Sequence, residues 1–493
     1  MNSCGHIDVL HLSLDQLAAL SMSRLRNSRT LERAAKSVLY REKWKAADIV
    51  AEEIKTYDDF ARIPFTTGQE VRKAINENPI EEVVCSDAVV HWFSTTGTTG
   101  VPKWIPYSQK DMELFMEIRD RCHELTPSMR GLKCLAVSAP APFVENGLAA
   151  LEKIRGMITH TQREGVGICF TRVEHEDAVS FALDIKPNFI ATWPSFAARF
   201  AELIAEKAPE VAQQKYRKHK SLRNLAAYFL THVKKIRPRD LSKYRWGLFS
   251  GESLDPYRRI LNRDFGLEPY EMYIFTEFMC PIIECHMHDG MHLWMDVCLP
   301  EIIAEPELER ENQNAGYTPR TIPLWKAEQG LRGEYVLTSF GEALPLVRYR
   351  SGDLIQVVGT EPCQCGITHP RVRVPRRSDT TICLGAIRFP AEQLEEKLLA
   401  VTPYGKARRW QARIMREGYR SKLVIRVEPY GEIVDRESFL DEISKRLMEL
   451  KILRIGIKNK MVTKPIVLFE ERISDEGRPV RKTGRIIYED ENW

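Results

Sequence analysis

Ser94-Thr95-Thr96-Gly97-Thr98-Thr99-Gly100-Val101-Pro102-Lys103 is the stretch on which the reading of this chain turns. Its hydroxyls can donate hydrogen bonds, and its two glycines allow the backbone to turn N–H groups toward an anion. Lys103 adds a point charge at the loop's end. A Walker-type loop needs four residues between its glycines and a hydroxyl residue directly after the lysine. Here two residues separate Gly97 from Gly100, and Trp104 follows Lys103. A Thr/Gly loop alone is often an ordinary turn; the full spacing T-T-G-T-T-G-x-P-K is far rarer and points to phosphate.

Upstream of the loop the pattern is helical. Leu10, Leu12, Leu14, Leu17 and Leu20 recur near helical spacing, and Arg24–Lys45 is a charged amphipathic run without Pro or Gly. Downstream, strand-like runs (Cys134–Ala139, Asn188–Trp193, Trp246–Ser250) alternate with helical ones (Ser195–Lys207, Asp255–Asp264). That alternation predicts an α/β domain with a largely parallel sheet. Tyr335–Ser339 and Leu354–Val358 read as further strands, and Arg371–Asp379 as a connector. Beyond it stands an α+β pattern: helices Pro390–Leu399 and Arg436–Lys451, and strands Arg409–Met415, Leu423–Glu428 and Ile466–Glu470. The boundary falls near 379, giving a large domain over 1–378 and a small one over 379–493.

Bulk properties narrow the classes. The chain has 493 residues, 43% hydrophobic and 28% charged, with a formal net charge of +4. These values exclude fibrous and disordered chains, and the charge is too mild to make nucleic acid or a membrane the main partner. The N-terminus lacks a signal-peptide pattern and no apolar run is long enough to span a bilayer, so a cytosolic setting is expected. Eleven scattered cysteines do not make a disulfide framework. Residues 213–245, with eleven Lys/Arg against one acid, read as a solvated helix face ahead of the alternative, a phosphate- or membrane-binding patch.

Four further segments bring a resemblance into view. Tyr273-Ile274-Phe275-Thr276-Glu277, Arg348-Tyr349-Arg350-Ser351-Gly352-Asp353, Arg377-Ser378-Asp379 and Arg481-Lys482-Thr483-Gly484-Arg485 follow the glycine-threonine loop in order. Together the five resemble the signatures of the adenylate-forming superfamily, which includes acyl- and aryl-CoA ligases. Arg24–Arg41, Arg62–Thr67, Glu284–His292 and Glu361–Pro370 are similar to its phenylacetate–CoA ligase branch. The resemblance covers nearly the whole chain. It implies a large multi-sheet α/β N-terminal domain with a small mobile α+β C-terminal domain, and two half-reactions. ATP and magnesium would convert a carboxylic acid to an acyl-adenylate, and a thiol, usually that of coenzyme A, would then displace AMP.

The resemblance also implies roles. Thr95, Thr96, Gly97, Thr98, Thr99, Gly100 and Lys103 would hold the outer phosphates; Thr276 would donate to the α-phosphate and Glu277 would help hold magnesium. Asp353 would bind the ribose hydroxyls, with Arg377 beside it, while Gly251, Glu252, Ser253 and Tyr273 would line the adenine site. Asp379 would be the hinge, and Gly385 would let the pantetheine arm approach. Lys482 is the expected catalytic cation, with Arg485 the alternative register. The acid pocket would be walled by Phe143, Trp193, Phe249 and Phe275, with Glu145 reading a polar substituent; these aromatics suit a flat aromatic acid. Each of them, taken singly, is equally well explained by core packing.

Cys285, His292, Cys363 and Cys365 form a Cys₃His set suited to structural zinc, and some members of the branch carry zinc at matching positions. His286, His288 and His369 are nearby substitutes. Two other readings stay open: a stand-alone adenylation enzyme that passes its acyl group to a carrier-protein thiol or an amine, and a non-catalytic nucleotide-binding protein. A homodimer is usual for this branch.

Overall fold

The computed structural model describes residues 8–94, 103–127, 132–138, 167–172, 185–314, 316–377, 381–474, 476–480 and 484–489. The chain divides into two compact bodies, one comprising residues 1–130, 142–164 and 270–379, the other 131–141, 165–269 and 380–493.

In the first body, hydroxyl residues set the helix starts. Ser13, Thr56 and Thr67 each accept the backbone N–H three residues on, while Gln16, Asp59 and Glu70 return to the cap's own N–H. The expected run Arg24–Lys45 is not one helix but parts of three: Leu14–Asn27, Thr30–Lys36 and Arg41–Ala46. The chain breaks at Arg29, which sits in the left-handed region at φ 54°. Each short helix then buries its own apolar face, carrying Leu17 and Leu25, Leu31, and Trp44.

Antiparallel strands form the centre of this body, in the spatial order Ile322–Pro323, Cys298–Ala304, Arg332–Ser339, Tyr349–Gly359, Arg371–Arg377, Met291–His292, Phe278–Glu284 and Glu268–Phe275. The passage read as a connector is therefore mostly strand. Arg371–Arg377 pairs on both sides, with Tyr349–Gly359 and with His292 and Met291. Alternation of Val372 and Val374 with arginines is a β pattern that the Pro/Arg content obscures. Apart from this sheet, Val89–Ser94 and Trp104–Ser108 make a hairpin, with Ser94 opposite Trp104.

The second body contains the expected parallel sheet: Trp246–Phe249, Phe189–Thr192, Lys133–Ser138 and Gly167–Arg172, in that order. Packed beside it, the helix Pro194–Lys218 runs well past the expected end at Lys207. Pro194 suits the first turn, and the helix continues through Pro209. Residues 380–493 add the hairpin Thr381–Leu384/Ile387–Pro390 and a five-stranded mixed sheet. Its order is Ile466–Phe469, Arg420–Pro429, Ala407–Glu417, Gly484–Tyr488 and Arg478–Val480. The helix expected over Arg436–Lys451 ends at Leu447, and a separate one covers Lys451–Lys458. The fold is mixed α/β, with one strand set antiparallel and another parallel. Among the described residues, no helix is long and apolar enough to cross a membrane.

Candidate active site and cysteine cluster

Lys103 is the first residue after the stretch 95–102, immediately before the strand Trp104–Ser108. It is buried, and its ammonium forms an ion pair with the carboxylate of Glu277 and donates to the Tyr349 hydroxyl at 3.2 Å. Tyr349 in turn donates to Glu277 at 3.0 Å. Thr276 and Glu277 form the two-residue turn between Glu268–Phe275 and Phe278–Glu284. Tyr107 pins this turn: its hydroxyl donates to the Thr276 carbonyl at 2.7 Å and accepts the Met279 N–H at 3.2 Å. Burial pushes the Glu277 carboxyl up, but the Lys103 charge and hydrogen bonds from Lys103 and Tyr349 outweigh it and hold it down to about 2. Glu277 is thus an anion whose charge is met by the Lys103 ammonium.

Two members of this cluster were not singled out in the sequence. Tyr349 lies inside the quoted Arg348–Asp353 run but carries no charge to mark it. Gly68 is needed for space: a Cβ there would lie 2.9 Å from the Lys103 ammonium and 3.1 Å from the Tyr349 hydroxyl.

Tyr349, Ser351 and Asp353 lie along one strand, with a register shift and Gly352 at φ 70° between Tyr349 and Asp353. Asp353 is buried and accepts the Tyr273 hydroxyl at 2.7 Å. Phe275 lies two residues on from Tyr273, its ring centroid 5.5 Å from the tyrosine's. Arg377 stands opposite Asp353 in the strand register. Within the first body the structure therefore joins Lys103, ahead of its hairpin strand, to the Thr276–Glu277 turn, and Tyr273 on the strand before that turn to Asp353 on the strand Tyr349–Gly359.

The second body gathers a different subset. Gly251 has φ 87°, and a Cβ there would meet the Trp193 indole at 2.5 Å. Trp193 also stacks on Phe196 with centroids 4.9 Å apart. Glu252 accepts the Ser195 N–H at 2.8 Å, in the first turn of the long helix, and the Tyr257 hydroxyl at 3.1 Å. Ser253 follows, half-buried. Gly385, at φ 64°, approaches the other side of Glu252; a Cβ there would be 2.9 Å from its carboxylate. Phe249 is fully buried against Gly247. Arg485 lies within the strand Gly484–Tyr488, paired with Gln411 and Pro479. Thr95, Thr96, Gly97, Thr98, Thr99, Gly100, Phe143, Glu145, Asp379 and Lys482 lie outside the described residues.

A third constellation sits in the first body. The ligand atoms of Cys285, His292, Cys363 and Cys365 all lie within 4.8 Å of one another. The Cys285 and Cys363 sulfurs are 3.8 Å apart, and Cys365 Sγ is 3.4 Å from His292 Nε2. His292 Nδ1 lies 3.3 Å from the His369 carbonyl, a contact that orients the ring with Nε2 toward the sulfurs. Burial lowers the His292 pKa to about 4, which keeps the imidazole neutral at ordinary pH. At Cys363 burial opposes ionisation, yet the Cys365 N–H and the Arg371 guanidinium bring the thiol below its usual value. Glycines at φ 80° and 95°, Gly290 and Gly366, turn the two ligand loops. His369 and His288 are engaged elsewhere, with the Val9 carbonyl and Glu284. The donor set suits a tetrahedral thiophilic ion with no open position.

A family model described as the GH3 family N-terminal domain matches residues 28–139. The phenylacetate–coenzyme A ligase of Pseudomonas putida is 26% identical over 452 residues, 88% of each chain. Among solved structures, a 2-hydroxyisobutyryl-CoA ligase in complex with 2-HIB-AMP and CoA superposes with a TM-score of 0.63 at 19% identity, covering 97% of this chain and 91% of that one. An acyl acid amido synthetase in complex with 2,4-DB superposes at 0.50 with 14% identity, over 92% and 88%. The chain is thus similar in sequence, over most of its length, to phenylacetate–coenzyme A ligases, and similar in fold to a 2-hydroxyisobutyryl-CoA ligase.

Proposed function

We infer that this protein is an AMP-forming acid–CoA ligase, which activates a carboxylic acid with ATP and transfers the acyl group to the thiol of coenzyme A. The observation that carries the reading is the contact of Lys103 with Glu277 and Tyr349, together with the Tyr273–Asp353 hydrogen bond contributed by the same two sequence segments. Carboxylate attack at the α-phosphorus builds charge on phosphate oxygens, so cations and donors fixed beforehand accelerate it. Lys103, with residues 95–100, would bind the outer phosphates; Thr276 would donate to the α-phosphate. Magnesium, when bound, neutralises phosphate charge, and Glu277 would hold it through oxygen. Asp353 would take the ribose hydroxyls, joined by Arg377, and Gly251–Ser253 would flank the base. Lys482 would bridge carboxylate and phosphate in the first step.

The working division is an N-terminal domain over 1–378 and a mobile C-terminal domain over 379–493, hinged at Asp379. Gly385 would then admit the pantetheine arm in the second step. The acid is aromatic in this reading, with Trp193, Phe249 and Phe275 as walls and Phe143 and Glu145 completing the pocket. Cys285, His292, Cys363 and Cys365 would hold zinc as a staple between two loops, since four protein ligands leave no site for substrate.

A second acceptor class has two observations in its favour: the GH3 model matches the N-terminal region, and an amido synthetase has a similar fold. An amine would then replace coenzyme A in the second step. Pyrophosphate exchange across benzoates, arylacetates, amino acids and fatty acids identifies the acid. Mass spectrometry of products with coenzyme A or an amino acid as acceptor then decides between thioester and amide.

A further inference from the structure

The helix Leu222–Val233 presents its faces in the reverse of the usual order. Surface helices hide their apolar stripe and show their polar one. Here Leu222, Phe229 and Val233 fall on one strip at 100° per residue, and they are 85, 61 and 83% exposed. Leu230 beside them is 48% exposed, and no residue of the helix is buried. The half-buried positions are Asn224, Leu225, Tyr228 and Thr231, on the opposite side, where the helix meets the long helix Pro194–Lys218. Asn224 fixes that docking through the His219 carbonyl at 2.8 Å.

Charge surrounds this strip. Lys218, Lys220 and Arg223 at its start and Lys234 and Lys235 at its end are all exposed. The whole chain carries only +4, so eleven basic residues against one acid within 213–245 leave the remainder net acidic. The one acid, Asp240, is paired to Lys234 at 2.7 Å. The solvated face expected from composition is thus a cationic rim around an apolar ridge.

We propose that this helix is a peripheral docking element for an anionic lipid surface. An anionic leaflet offers both halves of the complement: headgroup charge for the lysines and arginines, and an acyl boundary for a convex strip of Leu, Phe and Val. An acidic protein would satisfy only the rim unless it also brought a groove for the ridge. The proposal does not depend on the catalytic reading.

The test uses full-length protein and vesicles of phosphatidylcholine alone or mixed with phosphatidylserine. Co-sedimentation should occur with the mixed vesicles and fall as salt is raised. The exposed double substitution Phe229→Ser/Val233→Ser should lower partitioning about tenfold or more, while melting temperature and pyrophosphate exchange stay unchanged. Lys220→Glu/Lys235→Glu should weaken binding and flatten the salt dependence. Three results would overturn the proposal: no binding to mixed vesicles at low salt, binding that the Ser variant leaves intact, or self-association that the Ser variant abolishes, which would make a second copy the occupant.

Discussion

The hydroxyl of Tyr273 donates to the carboxylate of Asp353 at 2.7 Å, joining two motifs that lie 80 residues apart in the chain. In the proposed function the pair would preset the aspartate for a vicinal diol. A hydrogen bond to a charged group contributes ~1.5–3 kcal/mol, so Asp353→Ala should weaken AMP binding about 10–100-fold. Tyr273→Phe should cost less, because the carboxylate stays. Titration calorimetry with AMP checks both; equal affinities in wild type and Asp353→Ala would remove Asp353 from the nucleotide site.

Lys103 and Glu277 neutralise each other in a buried setting, so removing one exposes the other's desolvation cost. Lys103→Met should destabilise the fold by ~3–5 kcal/mol at neutral pH. The pH dependence has a definite sign. With its folded pKa held near 2, below the ordinary 4.5, Glu277 stabilises wild type fully above about 4.5, and that contribution fades as pH falls toward 2. In the variant, burial alone raises the carboxyl, and acid relieves the strain by protonating it. Thermal melts should show a gap that is widest near neutrality and narrows on acidification. A gap that stays constant with pH would mean that the pair contributes nothing electrostatic.

Strand and helix identities were largely legible because they rest on local pattern: the parallel set around Phe189–Thr192 and Trp246–Phe249 appears where apolar runs predict it. What escaped depends on distant partners. Tyr349 meets Lys103 across 246 residues, and Gly68 matters only because that ammonium lies above it. Arg371–Arg377 reads as a linker until strands on both sides supply its hydrogen bonds. Composition marked 213–245 as basic but could not say which way the helix Leu222–Val233 would turn its leucines. The cysteine set was visible in sequence as residue types, and the fold supplied what spacing cannot: four ligand atoms within 4.8 Å.

Gly251 tests the segment proposed to flank adenine. Its φ of 87° disfavours any side chain, and a methyl would press on the Trp193 indole. Gly251→Ala should lower stability by ~1–3 kcal/mol and weaken ATP binding. Trp193→Phe added to it should recover part of the loss, since the smaller ring yields space. Additive losses in the double variant would show that the two positions do not touch.

Purified under mild conditions, the protein should carry one zinc per chain by plasma mass spectrometry. Cys363→Ser should lose most of it and lower the melting temperature, and strong chelators should do the same to wild type. Well under one metal per chain in a well-folded preparation would make the cluster a set of packed thiols.

The most direct test of carboxyl activation follows the carboxylate oxygens. With the acid labelled with oxygen-18 and turned over with ATP and coenzyme A, attack at the α-phosphorus leaves one labelled oxygen on AMP when the thiol displaces it. Singly labelled AMP, unlabelled pyrophosphate and an acyl-CoA are the expected products. Label in inorganic phosphate with release of ADP would contradict attack at the α-phosphorus.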